Sequence, residues 1–340
     1  MMIDRNEKGE TIMNLKKGIC FLLAGALGTG TILSGCSQKD TTEDAVSAKG
    51  GYIEEEMEAP WQEGEYYMGS FFNQEGNLEV YTGGTSDSGT AQVFSYTYTG
   101  GGNWDQQEES WAETLLGTDS TAYKLIQGED QNLYLMTVKN SQEDSQSEET
   151  ESSESEEVNI DDLIQEWHLY RYAGEGEAQE LYPECLSEEG QREAGGFFPY
   201  YFGVNQEGDP AFMGMGSEIA IYDKDTGKEQ YTFPSYMIMN SSDTMADISG
   251  NILAVLGNED QDLVLYDTQT GEETGAIDFG DQDRGQLCAA GEGTYYLANS
   301  KGIFVYKEDG SIVEQIYDAG RGVMGETASS LIFNHFLAGE

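Results

Sequence analysis

The chain has 340 residues and a formal net charge of −48. That surface excludes nucleic acid and anionic lipid headgroups as partners, because both are bound through Lys and Arg. It favours cations, basic peptides or neutral ligands such as sugars, and of the four cysteines the two in the expected folded part, Cys185 and Cys288, are too few for a disulfide scaffold or a cysteine-based metal site.

Translation is expected to start at Met13, since Met13-Asn14-Leu15-Lys16-Lys17 is a natural beginning and Glu7-Lys8-Gly9-Glu10 reads as a translated purine-rich ribosome-binding site. The basic pair Lys16-Lys17 precedes an apolar run from Ile19 to Ile32, broken by Gly25, Gly28 and Gly30. The run falls short of the ~20 apolar residues of a permanent transmembrane helix. Small residues then lead to Cys36, where a cleavage site belongs. This order resembles the signal peptide of a bacterial lipoprotein, with Leu33-Ser34-Gly35-Cys36 as the lipobox. The resemblance implies cleavage between Gly35 and Cys36, a diacylglyceryl group on the Cys36 sulfur, and a chain held at the outer face of the cytoplasmic membrane. Attachment must come from the lipid, because the acidic chain is repelled by anionic headgroups. Residues 1–35 are then signal, 36–50 a polar flexible tether, and 51–340 the folded domain. Cys20 leaves with the signal, and Cys185 and Cys288 are expected as separate thiols.

From Gly51 the chain is rich in Gly, Tyr and short alternating apolar runs, an all-β pattern. Trp111–Leu116 is the one short helical candidate. Ile219-Ala220-Ile221-Tyr222-Asp223-Lys224-Asp225-Thr226-Gly227 matches Leu263-Val264-Leu265-Tyr266-Asp267-Thr268-Gln269-Thr270-Gly271, and a looser copy begins at Ile303. Each is a strand ending in Tyr, then a turn closed by Gly. Degenerate copies lead to Tyr96 and Tyr170. Asn205-Gln206-Glu207-Gly208-Asp209 nearly repeats the turn Asn73-Gln74-Glu75-Gly76-Asn77. Tyr222, Tyr266 and Tyr306 are 44 and 40 residues apart, the ~40–50-residue period of four-stranded propeller blades. The strand-Tyr-Asp-x-x-Thr-Gly pattern resembles blades of the quinoprotein-like and related β-propellers. The expected fold is an all-β propeller of about five blades plus a partial sixth. A plain hairpin within a β-sandwich is the alternative for the same turns.

The Ser/Glu-rich segment 140–158 has almost no apolar residues and reads as a disordered loop within the second blade. Ser330–Glu340 looks like the first strand of a sixth blade without its partner. This leads to the expectation of a truncated or N-terminal piece, unless Tyr52–Met57 closes the ring.

Chemistry is sparse in the sequence. His168 and His335 read as structural, and neither a Gly-x-Ser-x-Gly elbow nor a His-Glu-x-x-His is present. No cofactor is expected. Calcium is the one candidate, at Asp223 and Asp225 or at Asp281 and Asp283, but both loops lack the distal ligands that complete coordination and ordinary hairpin turns explain them. The aromatic run Phe197, Phe198, Tyr200, Tyr201 and Phe202 is a candidate ligand surface for a sugar or cation, with packing between blades as the alternative.

The chain also resembles the N-terminal propeller half of Gram-positive surface lipoproteins in which a solute-binding domain of an ABC importer follows. Gly51–Pro60, just after the tether, looks like the opening of such chains. The resemblance implies a binding or scaffold role at the membrane, with a sugar, peptide or protein ligand and importer components as partners. A propeller enzyme, hydrolase or quinoprotein-like dehydrogenase, is the second reading, and a nonfunctional gene fragment the third. Titratable groups clustered around the central channel would favour the enzyme.

Overall fold

In the computed structural model the chain forms five four-stranded antiparallel sheets, arranged as a five-bladed β-propeller. The structure describes residues 19–22, 59–318 and 335–338, except positions 74, 87–88, 101, 117–119, 140–163, 215–217, 236–245, 258–262, 280–285, 292, 300–301 and 310–311. The lipobox, the tether, Tyr52–Met57 and the acidic insertion lie outside the described residues, as do Asp281 and Asp283.

Each blade is built from four consecutive strands. Blade 1 comprises Tyr66–Phe72, Leu78–Thr85, Ala91–Gly100 and Asn103–Glu108. Blade 2 comprises Ser120–Gln127, Leu133–Lys139, Trp167–Tyr172 and Gln179–Leu181. Blade 3 comprises Tyr201–Val204, Pro210–Met213, Glu218–Tyr222 and Glu229–Pro234. Blade 4 comprises Ala246–Ser249, Ile252–Leu256, Leu263–Asp267 and Glu273–Ile277. Blade 5 comprises Gln286–Ala289, Thr294–Asn299, Gly302–Lys307 and Ile312–Asp318.

Tyr96, Tyr170, Tyr222, Tyr266 and Tyr306 all fall on the third strand of their blade. The terminal strand expected to open a sixth blade lies elsewhere: His335–Ala338 pairs with Ile19–Leu22 in a separate two-stranded sheet. Ser110–Glu113 forms the short helix expected near Trp111. A second helix, Glu188–Ala194, links blades 2 and 3, with Ser187 Oγ accepting from Gly190 N at its start and Gly195 in the left-handed conformation at its end.

The core lies between neighbouring blades. Tyr134, Met136 and Leu169 of blade 2 pack against Phe202, Phe212 and Tyr222 of blade 3. Met213 and Ile221 of blade 3 meet Ile248 and Val255 of blade 4, and Leu256 and Leu265 of blade 4 meet Leu287 and Leu297 of blade 5. Inner and middle strands are therefore buried on both faces and read as apolar runs such as Pro210–Met213, buried throughout. Fourth strands such as Asn103–Glu108 are mostly exposed and carry the charges that keep an open edge from pairing with another chain.

First strands face one another around the axis, blade 1 against 2, 3 against 4 and 4 against 5. Blades 2 and 3 are stitched by Glu129 N donating to Val204 O at 3.2 Å. Cys185 and Cys288 are separate thiols, and burial pushes the Cys185 thiol up to about 12.

Candidate functional site

Turns between the first and second strands gather at one end of the propeller. Asn73 Oδ1 accepts from Glu75 N at 3.0 Å and Asn77 N at 2.9 Å. Asn205 Oδ1 accepts from Glu207 N at 3.1 Å and Asp209 N at 2.9 Å. The repeated Asn-Gln-Glu-Gly turn is thus one Asx-turn device used twice. In blade 2 the turn is closed by Gly128 N to Asn132 O at 2.9 Å. The Asp130 carboxylate in this turn takes the Tyr134 hydroxyl at 2.8 Å and Arg171 Nη2 at 3.2 Å. With the turn fixed, Glu129 reaches across to blade 4, where its Oε2 accepts from Gly250 N at 2.7 Å. Blade 3 joins through Gln206 N to Gly250 O at 2.9 Å.

Blades 2 to 5 line a cleft of about 350 Å³ at this end, with Glu129, Gln131, Gln206, Gly250, Tyr295 and Glu308 among its residues. The volume sits at the small end of small-molecule sites. Glu129 and Glu308 supply its charge, and no Lys, Arg or His is among the described residues lining it. Lys307 stands beside the cleft, where its Nζ donates to Thr294 Oγ1. Tyr295 is buried, and burial, then the neighbouring Glu308 charge, push its phenol up to about 12.

Below the cleft, the inner strands bring Lys124 of blade 2, Tyr201 of blade 3 and Asp247 of blade 4 into one electrostatic group with Glu129. Asp247 Oδ2 accepts from Ala289 N of blade 5 at 2.8 Å, and its Oδ1 from Ile248 N at 3.0 Å. Burial raises the Asp247 carboxyl from 3.8 to about 7; the Glu129 charge adds to this, while the two N–H groups and Lys124 oppose it. Burial lowers Lys124 from 10.5 to about 8, with Asp247 opposing. Both side chains remain only half-buried, so the channel wall crowds them without fully drying them. The Tyr201 ring runs along its strand over Gly203; a Cβ there would lie 2.3 Å from the hydroxyl. The hydroxyl therefore points toward the turn end. It is buried, has no hydrogen-bond partner among the described residues, and is pushed well up, first by burial and then by Asp247 and Glu129.

This pair sets a pH signature. A carboxyl raised in the folded state stabilises below its unfolded value of 3.8, and that stability is lost as pH rises through about 7. A lysine lowered in the folded state gives stability present above 10.5 and lost as pH falls to about 8. Asp247→Asn is expected to remove the first slope. The stability of the variant relative to the parent should rise between pH 4 and 7 at up to about 1.4 kcal/mol per pH unit. Urea unfolding at several pH values checks it, and parallel pH curves for the two proteins would contradict it.

The residues anticipated from sequence are divided by the fold. Phe197 packs edge-on between Trp167 and Phe212, at 5.8 Å from each ring, and Phe202 stacks on Phe212 at 4.9 Å. Tyr201 lines the channel side just described. Only Phe198 and Tyr200 are open to water, at 45% and 44% exposure, and they sit 5.2 Å apart beside Tyr123. Asp223 Oδ1 accepts from Asp225 N at 3.1 Å and Thr226 N at 2.7 Å, the geometry of a hairpin turn. His168 sits between Glu180 and Glu166, with Nδ1 2.6 Å from Glu180 Oε1, on the outer half of blade 2. Among the described residues no group of three or more His, Cys, Asp or Glu side chains could hold a metal ion. Lys124, Glu129, Asp247 and Glu308 were not singled out by sequence reasoning. A charge inside an otherwise apolar first strand, as in Tyr123-Lys124-Leu125 and Ala246-Asp247-Ile248, is the signal that points to a channel wall.

Several solved structures are similar in outline. A protein of unknown function from Bacteroides caccae aligns with 78% of this chain and 86% of its own, at 12% identity and a TM-score of 0.41. A gluconolactonase from Xanthomonas campestris aligns over 74% and 76%, at 13% identity and a TM-score of 0.38. BamB from Moraxella catarrhalis aligns over 73% and 63%, at 13% identity and a TM-score of 0.31. At these values the likenesses carry no argument about function. No family model matches the chain, and no curated protein matches it in sequence.

Proposed function

We propose that this chain is a lipid-anchored extracytoplasmic binding protein whose propeller holds a small polar ligand in the cleft lined by Glu129, Gln206 and Glu308. The observation that carries the reading is the cleft itself: turns from separate blades converge on one polar cavity of about 350 Å³. The lipobox-like Leu33-Ser34-Gly35-Cys36 supports the location. The likeness to propellers that precede a solute-binding domain supports a role beside an importer.

Gln206 is exposed at the mouth and keeps its fold contact through the backbone, so Gln206→Trp fills the cleft without removing a structural bond. Thermal shift against a panel of monosaccharides, amino acids and diamines tests the reading. At least one compound is expected to raise the melting temperature of the parent, and the variant is expected to lose that shift. A panel whose hits survive Gln206→Trp unchanged counts against the cleft.

The clustering of Lys124, Asp247, Tyr201 and Glu129 favours a second reading, a propeller hydrolase with Asp247 as proton carrier. Its test is turnover of simple ester and lactone substrates across pH 5–9; activity equal in the parent and Asp247→Asn would remove it.

A further inference from the structure

Resting on the binding reading above, we propose that the ligand of the cleft is a small organic cation bearing a primary ammonium group. Glu129 and Glu308 are the charged groups among the described residues lining the cavity. Glu129 is already aimed by the Gly250 N–H at 2.7 Å, so its carboxylate is positioned before any ligand arrives. Lys307, the base beside the cleft, gives an N–H to the Thr294 hydroxyl and is not itself among the lining residues.

An ammonium group brings three donors to a cleft whose charged lining groups among the described residues are two carboxylates. Sugars commonly stack on an open ring, but the ring that lines the cleft among the described residues, Tyr295, is itself buried. The exposed rings Tyr182, Phe198 and Tyr200 are not among its lining residues. A net charge of −48 further concentrates cations at the surface and speeds their arrival.

The test uses three molecules of matched length: butane-1,4-diamine, butane-1,4-diol and succinate. Each is titrated into the purified full chain by calorimetry at low salt. The diamine is expected to bind at one site, at least tenfold more tightly than the diol or succinate. Glu308→Gln, on an exposed side chain, and Glu129→Gln, which keeps an acceptor for Gly250 N, are each expected to weaken it about tenfold. Glu218→Gln, on an exposed residue that opens the third strand of blade 3 at the opposite end of the propeller, is expected to leave it unchanged. Diamine binding that ignores Glu129 and Glu308, or that no variant and no probe distinguishes, overturns the proposal. Diol bound as tightly as diamine, and lost in Gln206→Trp, overturns the cation class and leaves the binding reading standing. If neither these probes nor the wider panel depend on Gln206, both fall.

Discussion

Gly227→Ala is expected to destabilise the chain by about 3 kcal/mol or more, while Gly271→Ala, at the matching turn of the next blade, costs about 1–2 kcal/mol. Both glycines close a Tyr-Asp-x-x-Thr-Gly turn, and both have positive φ, 70° and 73°. The conformational cost to alanine is therefore shared. Their surroundings differ. A Cβ on Gly227 would lie 1.9 Å from the Tyr182 carbonyl oxygen, whereas one on Gly271 would lie 2.4 Å from the Tyr231 ring. A tyrosine ring can swing aside. The Tyr182 backbone cannot, because Glu184 N donates to Gly227 O at 2.8 Å and Glu184 Oε1 accepts from Glu229 N at 3.0 Å. Relief at Gly227 means parting blade 3 from the segment that leaves blade 2. For a domain of this size the larger cost lowers the melting temperature by roughly 6–12 °C. Calorimetry of the two variants checks the contrast, and equal losses would mean that turn strain alone is at work.

Cys36→Ser is expected to move the protein from the membrane fraction to the soluble extracytoplasmic fraction almost completely. An acidic chain gains nothing from anionic headgroups, and no described helix is long and apolar enough to cross a bilayer. Under the lipid-anchor proposal retention depends on the acyl chains, each buried CH₂ giving about 0.8 kcal/mol, with two chains needed for stable anchoring. Serine offers no thiolate for diacylglyceryl transfer. Fractionation with labelled palmitate provides the readout. A variant that stays in the membrane fraction without label would point to another anchor.

The propeller was legible because its signals are local. Tyr222, Tyr266 and Tyr306 repeat with a Gly-closed turn a few residues on, and the fold places all three on third strands. Turn chemistry was equally plain in Asn73 and Asn205, whose side chains cap the same turn. The cleft was not legible, because Glu129, Gln206, Gly250 and Glu308 come from four different blades. Each looks like an ordinary polar turn residue until the blades are set around an axis. The aromatic run failed to declare its sides for a related reason. Phe197 and Phe202 enter the space between blades 2 and 3, while Phe198 and Tyr200 turn outward. Only the direction of the entering chain separates them.

The most direct measurement is a crystal structure of the full chain grown with butane-1,4-diamine. An ammonium group is expected between the Glu129 and Glu308 carboxylates, in the cleft they line. A diamine ordered elsewhere on the acidic surface, with the cleft empty, would contradict it.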